Sequence, residues 1–259
     1  MFRRQKPDDA AGAAGAAPQD FVVVVDNAIS PYLVMFHEPA GFRAEQVRGL
    51  RNRLVAMNPD GEPTTLVVTS AVRGEGKTLA ALNLAMAFAE LEWQKVVVVD
   101  ADLRRPSCER YLNLNPAPGF TDVLLGGATV DQVLRPAGYR NLQLIGAGTR
   151  VGNPAEVLGA SRIDGLLHQL KERFQYIVID TPPVLPTTDA GVLSARADGT
   201  LVVVRLEQSQ KSQTRDAVRQ IQEMGGNVLG TFVTGVRGAD PESDRRLAYE
   251  VRETEDDEA

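Results

Sequence analysis

Runs of consecutive apolar residues along this chain alternate with segments whose apolar residues recur every three or four positions. The apolar runs predict strands at Phe21–Val25, Leu66–Thr69, Val96–Val99, Leu142–Ile145, Tyr176–Ile179, Thr200–Val204 and Val228–Val233. The periodic segments predict helices at Phe42–Met57, Thr78–Glu90, Ser161–Arg173, Asp189–Ala197 and Gln210–Met224. Strands that are apolar throughout and separated by helices are typical of a parallel sheet buried on both faces. We therefore predict an α/β fold with a mainly parallel sheet and helices on both faces.

Local composition divides the 259 residues into four parts. Residues 1–20 include the low-complexity stretch AAGAAGAAPQ and are predicted to form a flexible N-terminal tail. Residues 21–60 form an N-terminal extension that contains the first helix, and residues 61–238 form the main domain. Residues 239–259 form a C-terminal tail whose segment ETEDDE carries five acidic side chains, and we expect this tail to stay solvated.

Composition excludes several classes of protein. The net charge of −6 argues against a general nucleic-acid binder. The chain has no apolar run of the roughly 20 residues that a membrane-spanning helix needs, and no secretory signal at its N-terminus. A single cysteine, Cys108, and two distant histidines, His37 and His168, give no zinc site. We therefore expect a cytoplasmic protein that binds neither zinc nor nucleic acid.

The segment TSAVRGEGKT, from Thr69 to Thr78, follows a predicted strand and opens a predicted helix, which is the setting of a phosphate-binding loop. Glycines let the backbone turn its N–H groups towards phosphates, and the helix N-terminus adds a positive dipole end. Ala71 replaces the first glycine of the common G-x-x-x-x-G-K-[ST] pattern. The predicted nucleotide contacts are Arg73, Gly74, Glu75, Gly76, Lys77, Thr78 and Leu79. This loop makes the predicted fold a P-loop NTPase.

Two acidic motifs support the nucleotide site. Val96–Val99 runs into DADLRRP and Tyr176–Ile179 runs into DTPP, so that Asp100, Asp102 and Asp180 lie at or just after strand ends. Parallel sheets bind their ligands at the carboxyl ends of strands. Carboxylates buried there need a compensating cation, and Mg²⁺ is a suitable one. One such aspartate alone could be a helix N-cap, but three beside a GKT sequence predict a site for ATP and Mg²⁺.

Together these segments resemble the bacterial tyrosine kinases of the CpsD/CapB family, which act in capsule and exopolysaccharide assembly. The resemblance rests on SAVRGEGKT, VVVVDADLRRP and YIVIDTPPVLPTTDA, and also on GFTDVLLG, GNPAEVLGAS and DGTLVVVR. Upstream, AEQVRGLRNRL matches the family's E-x-x-R-x-x-R helix with Glu45, Arg48 and Arg51. The match extends from about Pro31 to Val236.

The resemblance implies a fold related to the MinD and ParA ATPases and an autokinase that regulates polysaccharide polymerisation and export. It implies Lys77, Asp100 and Asp102 as catalytic residues, with Asp100 nearest the acceptor hydroxyl. It implies Thr78, Asp102 and Asp180 as the magnesium site. Residues Glu45, Arg48 and Arg51 are implied to support a homo-oligomer such as a ring. The implied partner is a membrane polysaccharide co-polymerase in a separate chain, which recruits the protein to the inner face of the membrane.

The sequence departs from the family in ways that leave alternatives open. Its C-terminal tail holds one tyrosine, Tyr249, instead of a tyrosine cluster, and Arg73 and Thr234 replace a usual proline and asparagine. Tyr249 is the candidate phosphoacceptor. One alternative is a nucleotide-binding regulator of polysaccharide assembly with weak or no kinase activity. Another is a MinD/ParA-like ATPase, although Val72 stands where those proteins carry an additional lysine.

Overall fold

The computed structural model describes residues 29–159 and 162–236 and contains one sheet of seven strands. The strands are β1 Thr64–Ser70, β2 Val96–Asp100, β3 Arg135–Ala137, β4 Tyr139–Ile145, β5 Tyr176–Asp180, β6 Gly199–Arg205 and β7 Val228–Thr234. Their order across the sheet is β3-β4-β2-β5-β1-β6-β7. All neighbouring strands are parallel except β3 and β4. The prediction of a mainly parallel sheet is confirmed.

The helices vary widely in length. The longer ones are α2 Phe42–Ala56, α3 Lys77–Ala89, α8 Arg162–Lys171 and α10 Lys211–Glu223. The shorter ones are α1 Val34–His37, α4 Cys108–Tyr111, α5 Phe120–Leu124, α6 Val130–Val133, α7 Pro154–Gly159 and α9 Asp189–Ser194. None of the helices within the described ranges is both long enough and apolar enough to cross a bilayer.

Alternation along the central strands builds two cores, one on each face of the sheet. Val96 and Val98 of β2 pack on the face covered by α3, whereas Val97 and Val99 pack on the face covered by α8. This alternation follows from the two-residue period of a strand. Helix α3 is buried almost all round because it lies between the sheet and α2. Helices on both faces therefore fix the central strands and the loops that leave them.

Part of the predicted N-terminal extension packs on α3. Leu33, Met35 and Leu54 are buried in the same core cluster as α3. The side chain of Asn83 on α3 accepts a hydrogen bond from the amide of Met35 at 3.1 Å and donates one to the carbonyl of Tyr32 at 3.0 Å. This segment therefore shares one core with the domain. The strand predicted at Phe21–Val25 and both predicted tails lie outside the described residues.

Apart from α9, which lies within the helix predicted at Asp189–Ala197, the short elements were absent from the sequence prediction. Strand β3 and six of the helices span three to six residues. Segments this short contain too few turns to show a helical period, and their conformation depends on the core against which they pack. The antiparallel pair β3–β4 forms one edge of the sheet, and β4 pairs with β2.

Candidate functional site

The phosphate-binding loop joins β1 to α3 in the predicted way. Strand β1 ends at Ser70 and α3 begins at Lys77. Gly74 and Gly76 have φ angles of +83° and +93°, a region that residues with a Cβ rarely adopt. Lys77 and Thr78 are the first two residues of the 13-residue helix α3, whose free N–H groups and positive dipole end attract anions. The loop geometry therefore fits a chain of phosphates.

The side chain of Glu75 braces this loop from inside. It is 1% exposed, and its carboxylate accepts hydrogen bonds from the amide of Val72 at 2.9 Å and from the hydroxyl of Ser209. Its carbonyl accepts a hydrogen bond from the hydroxyl of Thr234 at 2.7 Å. The carboxylate faces the protein interior, so the predicted contact between Glu75 and nucleotide can involve only its main chain.

The turn between β6 and α10 holds the outer side of the loop. Arg205 donates a hydrogen bond to the carbonyl of Gly74 at 3.2 Å, and Gln208 donates one to the carbonyl of Arg73 at 3.1 Å. These contacts join segments more than 130 residues apart in the sequence. Sequence analysis assigned none of Arg205, Gln208 and Ser209 to the site. Arg205 ends the motif DGTLVVVR, which does not show that its side chain reaches the loop, and no motif covers the other two.

Replacing Glu75 with alanine is expected to loosen the phosphate-binding loop. The amide of Val72 and the hydroxyl of Ser209 would lose their acceptor, which costs roughly 1–3 kcal/mol of folding free energy per buried group left unpaired. We expect a lower melting temperature and weaker nucleotide binding, measured by thermal unfolding and by calorimetric titration with ADP. Glu75→Gln keeps one acceptor oxygen and should recover most of the lost melting temperature and most of the lost nucleotide affinity. Equal behaviour of the two variants would contradict this role.

Three aspartates and Lys77 converge at the carboxyl ends of β2 and β5. Asp100 and Asp180 are register partners on these two strands. The Lys77 ammonium donates a hydrogen bond to Asp102 at 2.8 Å and lies 3.9 Å from Asp180 Oδ1. The structure thus brings together the residues that the sequence motifs placed at one site.

Burial dominates the electrostatics of this cluster. It raises the pKa of Asp180 to about 7 and that of Asp100 to about 6, because a buried carboxylate loses its hydration. Burial also lowers the pKa of Lys77, but the negative charges of Asp180 and Asp102 outweigh this effect, so that its pKa is raised. The lysine therefore stays charged near neutral pH. The two aspartates change charge between pH 5 and 8.

The donor atoms fit a hard cation such as Mg²⁺. Asp180 is fully buried, and its Oδ1 accepts no hydrogen bond from any residue in the described ranges. Such an orphaned acceptor is costly unless a cation satisfies it. Thr78 lies beside it, and its hydroxyl accepts a 3.3 Å hydrogen bond from Ser107. Oxygen donors of this kind are those that Mg²⁺ prefers.

Cys108 lies closer to this cluster than its place in the sequence suggested. Its buried Sγ is 3.8 Å from Asp180 Oδ2, and single donor atoms of Asp100, Cys108 and Asp180 lie within 4.8 Å of one another. The thiol is protonated at neutral pH, because burial raises its pKa well above the usual range. Sequence analysis treated Cys108 as distant from any ligand group and missed this contact.

Asp100 lies beneath the surface of the site. It is 1% exposed, and its Oδ2 accepts hydrogen bonds from the amides of Ser107 and Cys108, both at 2.9 Å. Its Oδ1 accepts one from the amide of Asp102 at 3.2 Å. These bonds fix the loop that follows β2. A direct contact between Asp100 and an acceptor hydroxyl therefore requires this loop to open.

A cavity of about 230 Å³ opens over the loop and the cluster. The predicted residues on its wall are Arg73, Gly74, Gly76, Lys77, Thr78, Leu79 and Asp102. Arg104, on the opposite side, forms two hydrogen bonds with the buried Asp189, at 2.7 and 3.3 Å. This ion pair joins the loop after β2 to the start of α9. Sequence analysis did not assign either residue.

The residues predicted to support assembly contact the end of α3. The guanidinium of Arg48 forms two hydrogen bonds with the carboxylate of Glu90 and also contacts Glu45. Arg51, which is 9% exposed, donates to the carbonyl of Ala87 at 2.9 Å and to Glu90 at 3.2 Å. Both arginines thus bind within the chain, and their use between subunits stays a prediction. Tyr249 lies outside the described residues.

Several known proteins are similar to this chain. A family model described as "AAA domain" matches residues 64–227. Tyrosine-protein kinase YwqD of Bacillus subtilis (strain 168) is 30% identical over 203 residues, which are 78% of this chain and 85% of that protein.

Two solved structures differ in how closely they match. The kinase domain of the Escherichia coli tyrosine kinase ETK superposes with a TM-score of 0.76 and 28% identity, covering 82% of this chain and 84% of that one. The cell division ATPase MinD of Pyrococcus furiosus gives a TM-score of 0.56 at 25% identity, covering 65% and 70%. The P-loop fold is shared with both proteins, and the match is closer to the kinase. The chain belongs to the AAA domain family and, within it, to the bacterial tyrosine-protein kinases.

Proposed function

We propose that this protein is a protein-tyrosine kinase that transfers the γ-phosphoryl group of ATP to tyrosine hydroxyls, including its own. The observation that carries the proposal is the convergence of Lys77 with Asp102 and Asp180 at the N-terminus of α3, where Lys77 and Asp102 line an open cavity and Asp180 is buried. Phosphoryl transfer depends mainly on positioning and on charge stabilisation, and these residues provide both.

The chain's own residues supply most of the chemistry. Loop amides and the Lys77 ammonium hold the β- and γ-phosphates in line with the acceptor. Thr78, Asp102 and Asp180 would hold Mg²⁺, which neutralises charge on the phosphates. The tyrosine oxygen forms a bond to the γ-phosphorus while the bond from that phosphorus to the β,γ-bridging oxygen breaks. ADP leaves, and the phenolic proton passes to a carboxylate.

Asp100 is the proposed acceptor of that proton. Its pKa of about 6 suits a general base near neutral pH, because it is ionised there and still basic. Its burial requires the loop after β2 to open as the acceptor enters. Asp102 already lies on the cavity wall and is the rival candidate. Full transfer activity in Asp100→Asn, measured beside Asp102→Asn, would assign the proton to Asp102.

The biological role follows from the family resemblance. The CpsD/CapB kinases act in capsule and exopolysaccharide assembly, and we propose the same role here. A membrane polysaccharide co-polymerase in a separate chain would supply a cytosolic segment that stimulates the site. This partner would recruit the cytoplasmic protein to the inner face of the membrane. Tyr249 is the proposed acceptor in the protein's own tail.

One experiment separates the kinase from its two alternatives. Purified protein is incubated with MgATP and with the cytosolic tail of a candidate co-polymerase, and phosphotyrosine and free phosphate are both measured. Phosphotyrosine supports the proposal. Free phosphate without phosphotyrosine supports a MinD/ParA-like ATPase, and nucleotide binding with neither product supports a regulator.

The double variant Arg48→Ala/Arg51→Ala is expected to lose homo-oligomer assembly in sedimentation experiments. Glu90→Gln is the matched control, because it weakens the intrachain ion pairs of both arginines but keeps the arginines themselves. We expect Glu90→Gln to lower the melting temperature and to assemble normally. Assembly of the double variant equal to that of the parent protein would contradict an interface role for this helix.

A further inference from the structure

The cavity has a second wall that the proposed nucleotide contacts do not explain. It is formed by the loop after β2, the end of α4 and the loop after β5. Its members are Arg104, Arg105, Ser107, Tyr111, Pro182, Pro183 and Thr187. This wall combines an aromatic ring and two prolines with two guanidinium groups. Apolar surface beside positive charge suits a phenol ring whose neighbours are acidic.

The two arginines of this wall differ in their partners. Arg104 is held by the buried carboxylate of Asp189, so its charge is already compensated. Arg105 is exposed, and its guanidinium forms no ion pair with any residue in the ranges 29–159 and 162–236. Its backbone is fixed, because its amide donates to Asp102 Oδ1 at 3.0 Å. Arg105 is thus an uncompensated cation held beside the proposed reaction centre.

We infer that Arg105 selects tyrosine acceptors that carry acidic residues next to the tyrosine. The inference rests on the proposed kinase function and names its substrate class. The transfer chemistry is unchanged, and Arg105 acts only by attracting the carboxylates that flank the acceptor. This chain contains such a segment, because Tyr249 is followed by Glu250 and then by the acidic run at residues 253–258.

The charge balance of the site favours this role over a second phosphate contact. The loop amides, Lys77 and the exposed Arg73 already face the phosphates from the P-loop side. Arg105 lies on the other wall with Tyr111 and Pro183. Attraction between exposed opposite charges orients a peptide and raises its affinity modestly. Arg105 is therefore a specificity-determining residue of the acceptor side.

The test compares two labelled peptides, LAYEVRETEDDE and its acid-free twin LAYQVRQTQNNQ, which keeps only the arginine charge. Binding to the full chain with MgADP is measured by fluorescence anisotropy, and phosphoryl transfer from MgATP is measured separately. We expect the acidic peptide to bind roughly fivefold more tightly at low ionic strength, with the preference fading as salt is added. Arg105→Gln should reduce the preference to less than roughly twofold and leave binding of the acid-free peptide nearly unchanged.

Arg215→Gln is the matched control. It removes the same charge from the exposed face of α10, away from the cavity wall, and should keep the full preference. Equal binding of the two peptides to the parent protein would overturn the inference. Equal weakening of both peptides by Arg105→Gln would also overturn it, as would weaker MgADP binding by that variant. If the parent protein prefers the acidic peptide but forms no phosphotyrosine, the result supports the inference about Arg105 and contradicts the kinase function.

Discussion

Replacing Lys77 with methionine is expected to abolish phosphoryl transfer while the fold remains intact. Lys77 is the cation at the start of α3 that faces both the phosphate-binding loop and the carboxylates of Asp102 and Asp180. Loss of one fixed charge that stabilises a transition state typically slows the chemical step by roughly a hundredfold to a thousandfold. Phosphotyrosine formation under single-turnover conditions measures this effect directly.

Lys211→Met provides the control for Lys77→Met. Lys211 is the exposed first residue of α10 and does not line the cavity, so its loss should leave the rate of transfer unchanged. Circular dichroism and the melting temperature show whether each variant is folded. A folded Lys77→Met protein that retains transfer within a few-fold of the parent rate would contradict the proposed role of Lys77.

Replacing Asp180 with asparagine is expected to stabilise the nucleotide-free protein and to abolish its magnesium-dependent binding of nucleotide. Burial raises the pKa of Asp180 from its ordinary value of 3.8 to about 7. Between pH 3.8 and about 7, the Asp180 carboxyl group is therefore protonated in the folded state and ionised in the unfolded state. Its stabilising contribution is full below pH 3.8 and is lost as pH rises through 7.

The gain in stability from Asp180→Asn should therefore grow with pH. This gain should be small near pH 4 and reach on the order of 4 kcal/mol of unfolding free energy at pH 8, because asparagine carries no charge to desolvate. Denaturant unfolding at several pH values measures it. Asp164→Asn is the control, because Asp164 lies on the surface in an exposed ion pair with Arg196. Lower stability of Asp180→Asn at every pH, or unchanged affinity for MgADP, would contradict the assignment.

The sequence predicted the centre of the fold well because periodicity is strongest there. Val96–Val99 and Tyr176–Ile179 are continuous apolar runs, and both form central strands of the sheet. Asp100 and Asp180 directly follow these two runs. They lie side by side, because parallel strands end at the same edge of the sheet. The sequence motifs and the parallel topology were together sufficient to predict that the carboxylates lie beside the phosphate-binding loop.

Contacts between distant segments could not be predicted from the sequence. The bond between Ser209 and Glu75 and the ion pair of Arg104 with Asp189 depend on how loops fold over the sheet. Glu75 was predicted to contact the nucleotide, because its position in the loop does not show that its side chain points into the protein. The partners of Arg51 could not be predicted either, because a charged helix face does not indicate which residues lie opposite it.

Calorimetric titration of the protein with ADP, in the presence and absence of Mg²⁺, tests the central claim most directly. The claim is that Lys77, Thr78, Asp102 and Asp180 form one site for a nucleotide and its metal. We predict one binding site per chain, with an affinity that falls sharply when Mg²⁺ is removed. Binding that does not depend on Mg²⁺, or no binding at all, would contradict it.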